Sequence, residues 1–165
     1  KSNQENSWSF EVHPLTNLLH SAVQMVRQKT DEKKIHIVLN ISGEIRMQVN
    51  PILFEQAIVN LLDNAVNYSD RGSTVEITAE VNEKELVLAV TDHGCGIPQE
   101  HQPRIFERFY RVNKGRSREL GGTGLGLAIV KHIAQIHQGY VSVDSTLNEG
   151  STFYVHIPRA RIIGI

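Results

Sequence analysis

Only one cysteine, Cys95, occurs in the sequence, which excludes an internal disulfide and a cysteine-rich zinc site and makes a reducing compartment, most simply the cytoplasm, the expected home. No apolar run approaches the length needed to cross a bilayer, and the opening KSNQENSWSF lacks a signal-peptide pattern. Surplus charge of one sign is missing too. The 17 Lys and Arg against 18 Asp and Glu leave a formal charge of −1, with the signs interspersed. The concentrated positive field of a nucleic-acid binder is therefore absent, and nucleic acid is not an expected partner. An initiator Met is also absent, so the chain reads as a piece of something longer.

What is present suffices for one domain: 165 residues with 40% hydrophobic content can bury a single sizeable core. Residues 1–7 read as a linker remnant, and Trp8, Phe10 and Val12 alternate as a short strand would. Pro14 then opens a helix on which Leu15, Leu18, Leu19, Ala22, Val23 and Val26 recur at helical spacing, with Arg27, Lys29 and Lys33 toward its C-terminal end. Ile35, Ile37, Leu39 and Ile41 mark a strand, Ser42-Gly43 a turn, and Arg46–Val49 a second strand ending at Asn50-Pro51, a cap followed by a first-turn proline. The helix predicted over Pro51–Tyr68 ends in a polar break, Ser69 to Ser73. Two strands follow, Thr74–Val81 and Glu85–Asp92, predicted to form a hairpin. The continuous apolar run Leu86 to Val90 predicts a central strand covered on both faces. Periodicity fails from Gly94 to Gly122, a stretch too long for an ordinary connection and read as a lid. A third helix over residues 124–138 and strands Tyr140–Thr146 and 151–158 complete the pattern, with 159–165 as a tail. The predicted fold class is α+β: a two-layer sandwich of a mixed, mostly antiparallel sheet of about five main strands on three helices.

Three constellations carry chemistry. Gln56, Asn60, Asn64 and Asn67 form one polar stripe along a helix whose neighbours Phe54, Ile58, Leu61, Leu62 and Ala65 are apolar. A solvated face is the alternative reading, yet Asn is a mediocre helix former, and three in one row sacrifice helix stability that Lys or Glu would keep. Amide oxygens are hard ligands suited to a Mg ion carried by a nucleotide. Asp92 closes the buried strand and is followed by Gly94 and Gly96. The glycines let a flat ligand approach the backbone, and the carboxylate can accept from an exocyclic amine such as adenine's; a turn in which Asp92 bonds its own backbone is the alternative. Gly121-Gly122-Thr123-Gly124-Leu125-Gly126-Leu127 leads into the third helix and offers bare backbone N–H groups at a positive dipole end, where phosphate binds. A flexible hinge would use the same residues.

These segments resemble the catalytic domain of sensor histidine kinases, within the ATPase superfamily shared with gyrase B, MutL-type repair proteins and the ninety-kilodalton heat-shock chaperones. Asn60-Leu61-Leu62-Asp63-Asn64-Ala65 is similar to the family's N box, and Asp92-x-Gly94-x-Gly96 to its first glycine box. Ile105-Phe106-Glu107-Arg108-Phe109-Tyr110-Arg111 is similar to its F box, residues 122–127 to the second glycine box, and Gly150-Ser151-Thr152-Phe153 to the last. The resemblance implies a Bergerat-type fold with an ATP lid over 98–122 in a domain spanning 8–158. It implies that Asn60 and Asn64 hold Mg and phosphates, that Asp92 receives the adenine amine, and that Arg111 contacts the transferring phosphate. Phe106 and Phe109 would anchor the lid. Asn67, Tyr68, Gly94, Gly96, Ile97, Tyr110, Gly122, Thr123, Gly124, Leu125, Gly126, Leu127 and Ser151 complete the implied nucleotide site. Cys95 fills a variable position beside the adenine pocket.

Two departures stand out. Where the family often has Lys three residues after the second N-box Asn, this chain has Asn67; Lys114, Arg116 or Arg118 are the candidate substitutes. No His-acidic-x-x-x-Pro acceptor pattern is present, since in His13-Pro14 the proline follows directly. His93, His101, His132 and His137 are expected to face solvent or pack. The resemblance therefore implies transfer of the ATP terminal phosphoryl group to a histidine on a separate dimerisation domain of the same parent, the cytoplasmic part of an inner-membrane sensor, and a downstream response regulator as partner. Direct membrane contact by this domain is not expected, and the isolated domain is expected to be a monomer. A hydrolytic ATPase of the superfamily, an anti-sigma serine kinase and a nucleotide-binding module without transfer are the rival readings.

Overall fold

The computed structural model describes residues 8–112 and 124–165. Lys114, Arg116, Arg118, Gly121, Gly122 and Thr123 fall outside the described residues. The described residues form four α-helices: α1 (Leu15–Met25), α2 (Arg27–Lys33), α3 (Pro51–Tyr68) and α4 (Gly126–Ile136). The strands are β1 (Glu11–Pro14), β2 (His36–Ile41), β3 (Arg46–Val49), β4 (Thr74–Val81), β5 (Glu85–Asp92), β6 (Tyr140–Thr146), β7 (Gly150–Pro158) and β8 (Ile162–Gly164). The main sheet has the order β2-β4-β5-β7-β6, with β2 and β4 parallel and the other pairs antiparallel. This is the expected two-layer α+β sandwich.

Side-chain alternation builds the core. Ile77, Val90, Phe153 and Val143 pair in register across four strands; the first three are buried. Leu15, Leu18 and Leu19 of α1, Phe54, Ile58, Leu61, Leu62 and Ala65 of α3, and Val130 and Ile133 of α4 supply the helical side. Burial of this apolar surface is the main stabilising term, about 25 cal/mol for each Å² removed from water. The start of α3 follows its sequence signals: Pro51 occupies its first turn, and the Asn50 side chain accepts from the Leu53 N–H at 3.0 Å. At the other end, Lys33 Nζ donates to the carbonyls of Val66 (2.8 Å), Asn67 (3.2 Å) and Ser69 (2.8 Å). A cation there satisfies carbonyls that the helix leaves without internal partners and meets the negative dipole end.

Four expectations are corrected. The helix opened by Pro14 is broken at Val26 (φ −102°, ψ 5°) into α1 and α2, so among the described residues two helices stand where one was expected. The strand near Trp8 begins only at Glu11. β5 is central but has helices on one face only; on its other face Val87 and Ala89 lie beside Glu80, His156, Thr78 and Tyr154, longer side chains that shelter them. The segment read as a tail turns at Arg159–Arg161 and forms β8, which joins β1 and β3 in a three-stranded sheet of order β1-β3-β8. Ile162 is buried there, 6% exposed. Its apolar pair, Ile162 and Ile163, is too short to show periodicity by itself.

Candidate functional site

Strand parity places the first functional side chain. β5 sends Leu86, Leu88 and Val90 toward the helices, and Asp92 falls on the same face at the strand's end, 4% exposed. Burial is the main influence on its carboxyl and raises its pKa above the usual carboxylate value. Backbone hydrogen bonds from Gly94 and Ser151, and then the charge of His93, oppose that shift. The Gly94 N–H donates to Asp92 Oδ1 at 2.9 Å, so the self-bonded turn is formed while the residue still borders a cleft. The glycines here are required by packing. A Cβ on Gly94 would stand 2.0 Å from the Tyr68 carbonyl oxygen, and one on Gly96 2.2 Å from the Thr146 carbonyl oxygen.

Ser151 is the register partner of Asp92 and is 7% exposed. Its hydroxyl lies 2.7 Å from Ser145 Oγ. Ser145 donates to the Gly150 carbonyl at 3.1 Å and accepts from the Ile97 N–H at 2.8 Å. With the Ser145 proton committed, Ser151 is the donor in the pair and offers lone pairs to any ligand.

A cleft of about 600 Å³ opens above these residues, bordered by Asn60, Asn64, Asn67 and Tyr68 of α3, by Asp92, Gly96, Ile97 and Ser151, by Tyr110 and Arg111, and by Gly124, Leu125, Gly126 and Leu127. Gly94, expected in the site, does not border the cleft; it is buried, and its N–H holds Asp92. Gln56 does not border the cleft; its Nε2 donates to Asn60 Oδ1 at 2.7 Å, and Asn60 Nδ2 donates to the Gly126 carbonyl at 3.3 Å. The amide stripe thus holds itself in place and ties α3 to the first residue of α4. The third helix starts at Gly126, two residues later than expected, and its N-cap Leu125 contributes no side-chain cap. Its first turn borders the cleft as a positive dipole end.

The described part of the expected lid, 98–112, folds over a 3-10 turn, Gln102–Arg104. Ile105 is its buried anchor (5% exposed), and Phe106 packs edge-on to Phe153 with ring centroids 6.1 Å apart. Phe109 corrects the expectation: φ of +62° turns the chain, and the ring is 66% exposed. Its backbone does the anchoring, the N–H donating to the Gly124 carbonyl at 2.7 Å. Tyr110 is fixed by a hydrogen bond with His101 Nδ1 and by the Arg104 guanidinium, 4.6 Å from its ring centroid. His137 is fully buried, while His93 and His132 are exposed.

Sequence reasoning missed Lys29, Asp63, Leu147 and Asn148, which also border the cleft. Asn148 has a positive φ of 68°, and its N–H donates to the Cys95 carbonyl; the Asn-Glu-Gly run at 148–150 was the turn signal for it. Nothing local marks Lys29, whose place depends on how α2 packs on α3. Cys95 is half-buried on the cleft wall.

Fold and cleft together define an ATP-binding domain, and the chain belongs to the family described as histidine kinase-, DNA gyrase B- and HSP90-like ATPases, whose model matches residues 49–161. Within it, the chain is of the sensor histidine kinase kind. It is 42% identical over 143 residues to the sensor-like histidine kinase SenX3 of Mycolicibacterium smegmatis, covering 87% of this chain and 37% of that protein. It is 44% identical over 146 residues to the signal transduction histidine-protein kinase ArlS of Staphylococcus haemolyticus, covering 88% and 32%. The crystal structure of full-length ShkA in complex with AMPPNP matches with a TM-score of 0.80 at 27% identity, over 92% of this chain and 31% of that one. The chain thus spans about a third of the length of the curated relatives it matches. Among the described residues, no helix is long and apolar enough to cross a membrane.

Proposed function

We propose that the cleft binds Mg-ATP and that the domain passes the terminal phosphoryl group to a histidine on a separate helical dimerisation domain of the same parent, from which a response regulator is then charged. The observation that carries this reading is convergence: the amide row of α3, the buried Asp92 and the first turn of α4 border one cleft. Asp92 accepts from the adenine amine, with Gly96 and Ile97 against the ring and the Ser151 oxygen nearby. Tyr68 closes the wall on the α3 side. The N–H groups from Gly124 to Leu127 meet the phosphates, and Arg111 meets the transferring group, with Tyr110 beside it.

The metal suits this donor set only in company with the nucleotide. Among the described residues no three His, Cys, Asp or Glu side chains gather, whereas Asn60 and Asn64 offer amide oxygens that can complete the shell of an ion already held by phosphates. When bound, the ion neutralises phosphate charge. Gln56 and the Gly126 carbonyl orient Asn60 for that task. In the transfer, the acceptor imidazole nitrogen bonds to the terminal phosphorus, the bond to the bridging oxygen breaks, and ADP leaves. Positioning and charge neutralisation provide most of the acceleration.

The test is incubation with a purified phosphoacceptor domain and terminally labelled ATP. Acid-labile label on the acceptor is the expected result. Release of phosphate without label transfer would instead make this a hydrolytic ATPase, and nucleotide binding with neither outcome a binding module. The single cysteine suits a cytoplasmic position, the likeness to sensor kinases supports a membrane-anchored parent, and light scattering is expected to show a monomer.

A further inference from the structure

We propose that Lys29 is a phosphate-binding residue of the cleft, giving up its present partner Asp63 for the polyphosphate tail of the nucleotide; this rests on the ATP reading above. The need for such a group follows from charge. Among the described residues, the cleft is bordered by two carboxylates, Asp63 and Asp92, and two cations, Lys29 and Arg111. α3, which supplies the amide row, contains no basic residue along its whole length, and Asn67 adds only a neutral amide. A polyanion along this helix must therefore draw positive charge from a neighbouring element.

Among the described residues α2 offers such a charge, besides Arg111, and its register on α3 is fixed. Lys33 is bound to the carbonyls of Val66, Asn67 and Ser69. Lys29, four residues earlier, lies on the same face of α2 and reaches one turn back along α3, with Nζ 3.2 Å from Asp63 Oδ1. Asp63 stands only about 60° around the helix from Asn60, so the ion pair flanks the amide row. The pair is also easily exchanged. Its side chains are 51% and 36% exposed, and ion pairs of that kind contribute little. A phosphate chain carries more charge than one carboxylate, and Lys binds it as a flexible point charge.

Calorimetry on the full chain with Mg-ATP, Mg-ADP and adenosine tests this. Lys29→Met is expected to weaken ATP by about tenfold, a charge-assisted contact less the weak pair it replaces. ADP should weaken less and adenosine not at all, and Lys29→Arg should stay close to wild type. Unchanged ATP affinity in Lys29→Met overturns the proposal. So does an equal loss for adenosine, which would mark a structural role. Failure of the wild-type chain to bind ATP would refute the ATP reading itself, a distinguishable result.

Discussion

Replacing Asp92 by Asn keeps the shape of the side chain and removes its charge, and stability and affinity should then move in opposite directions. The carboxyl is 4% exposed, and burial raises its pKa above 3.8 in the folded chain. Between 3.8 and that raised value the folded state binds more protons than the unfolded state, so stability falls as pH rises through the window and stays lowered above it. Asn carries no such penalty and still accepts from the Gly94 N–H, so the melting temperature of the ligand-free domain should rise at neutral pH, and its fall across the acid window should flatten. Binding should suffer. Losing a charge-assisted hydrogen bond to the adenine amine removes about 1.5–3 kcal/mol, roughly a 10- to 150-fold weaker ATP complex. The Asn amide can instead donate to a 6-oxo purine, so the preference for ATP over inosine triphosphate should narrow by more than ATP affinity alone falls. Calorimetry with both nucleotides and thermal scans without ligand read out each arm. Unchanged ATP affinity would refute the adenine role. A falling melting temperature would show that the carboxylate serves its backbone donors more than burial penalises it.

Other perturbations test the scaffold. His137 is fully buried with both ring nitrogens engaged: Nδ1 donates to the Ile133 carbonyl at 2.8 Å, and Nε2 accepts from the Asn50 N–H at 3.0 Å. Burial chiefly lowers its pKa, so below about pH 6.5 the unfolded chain binds a proton that the folded chain refuses. Urea titrations should lose up to about 1.4 kcal/mol per pH unit as pH falls through that window, and His137→Gln should abolish that share of the slope. Lys33→Met leaves the carbonyls of Val66, Asn67 and Ser69 without their cation and should cost about 1–3 kcal/mol in the same assay. Ile105→Ala should destabilise by about 2–5 kcal/mol, whereas Phe109→Ala, at a largely exposed ring, should stay within about 0.5 kcal/mol; equal losses would contradict the backbone-anchor account.

The strands with clean alternation, β2, β4 and β7, were legible from sequence, as were both ends of α3, because the signals there are local: Asn50 caps, Pro51 starts, and Ser69 to Ser73 stops. So was the placement of Asn60, Asn64 and Asp92 on one cleft, since each lies on a regular element whose period fixes its facing. Phe109 was misread because an aromatic in an apolar run suggests core, while the positive φ that turns it outward leaves no mark in composition. Lys29 was invisible for a different reason. Its neighbours in the sequence belong to a polar helix, and its role depends on α2 lying against α3 thirty residues away. The break at Val26 likewise has no Pro or Gly to announce it.

The same long-range ties explain how a helix rich in Asn can serve as a floor for a charged ligand. α3 is held at its N-terminus by the Asn50 cap and His137, at its middle by the Asn60 link to Gly126, and at its C-terminus by Lys33. Each tie comes from a different element, so the amide row is fixed before any nucleotide arrives and pays little ordering entropy on binding. The other wall is built differently. Among the described residues, 98–112 are tied by the Phe109–Gly124 backbone bond to the residues that lead into α4, and they are pinned to the sheet by Ile105 and Phe106. On the nucleotide reading proposed above, a floor and a wall fastened by different elements would let contact with the terminal phosphate act on Tyr110 and Arg111 without disturbing Asp92. That separation would allow adenine recognition and phosphoryl positioning to be tuned by different residues.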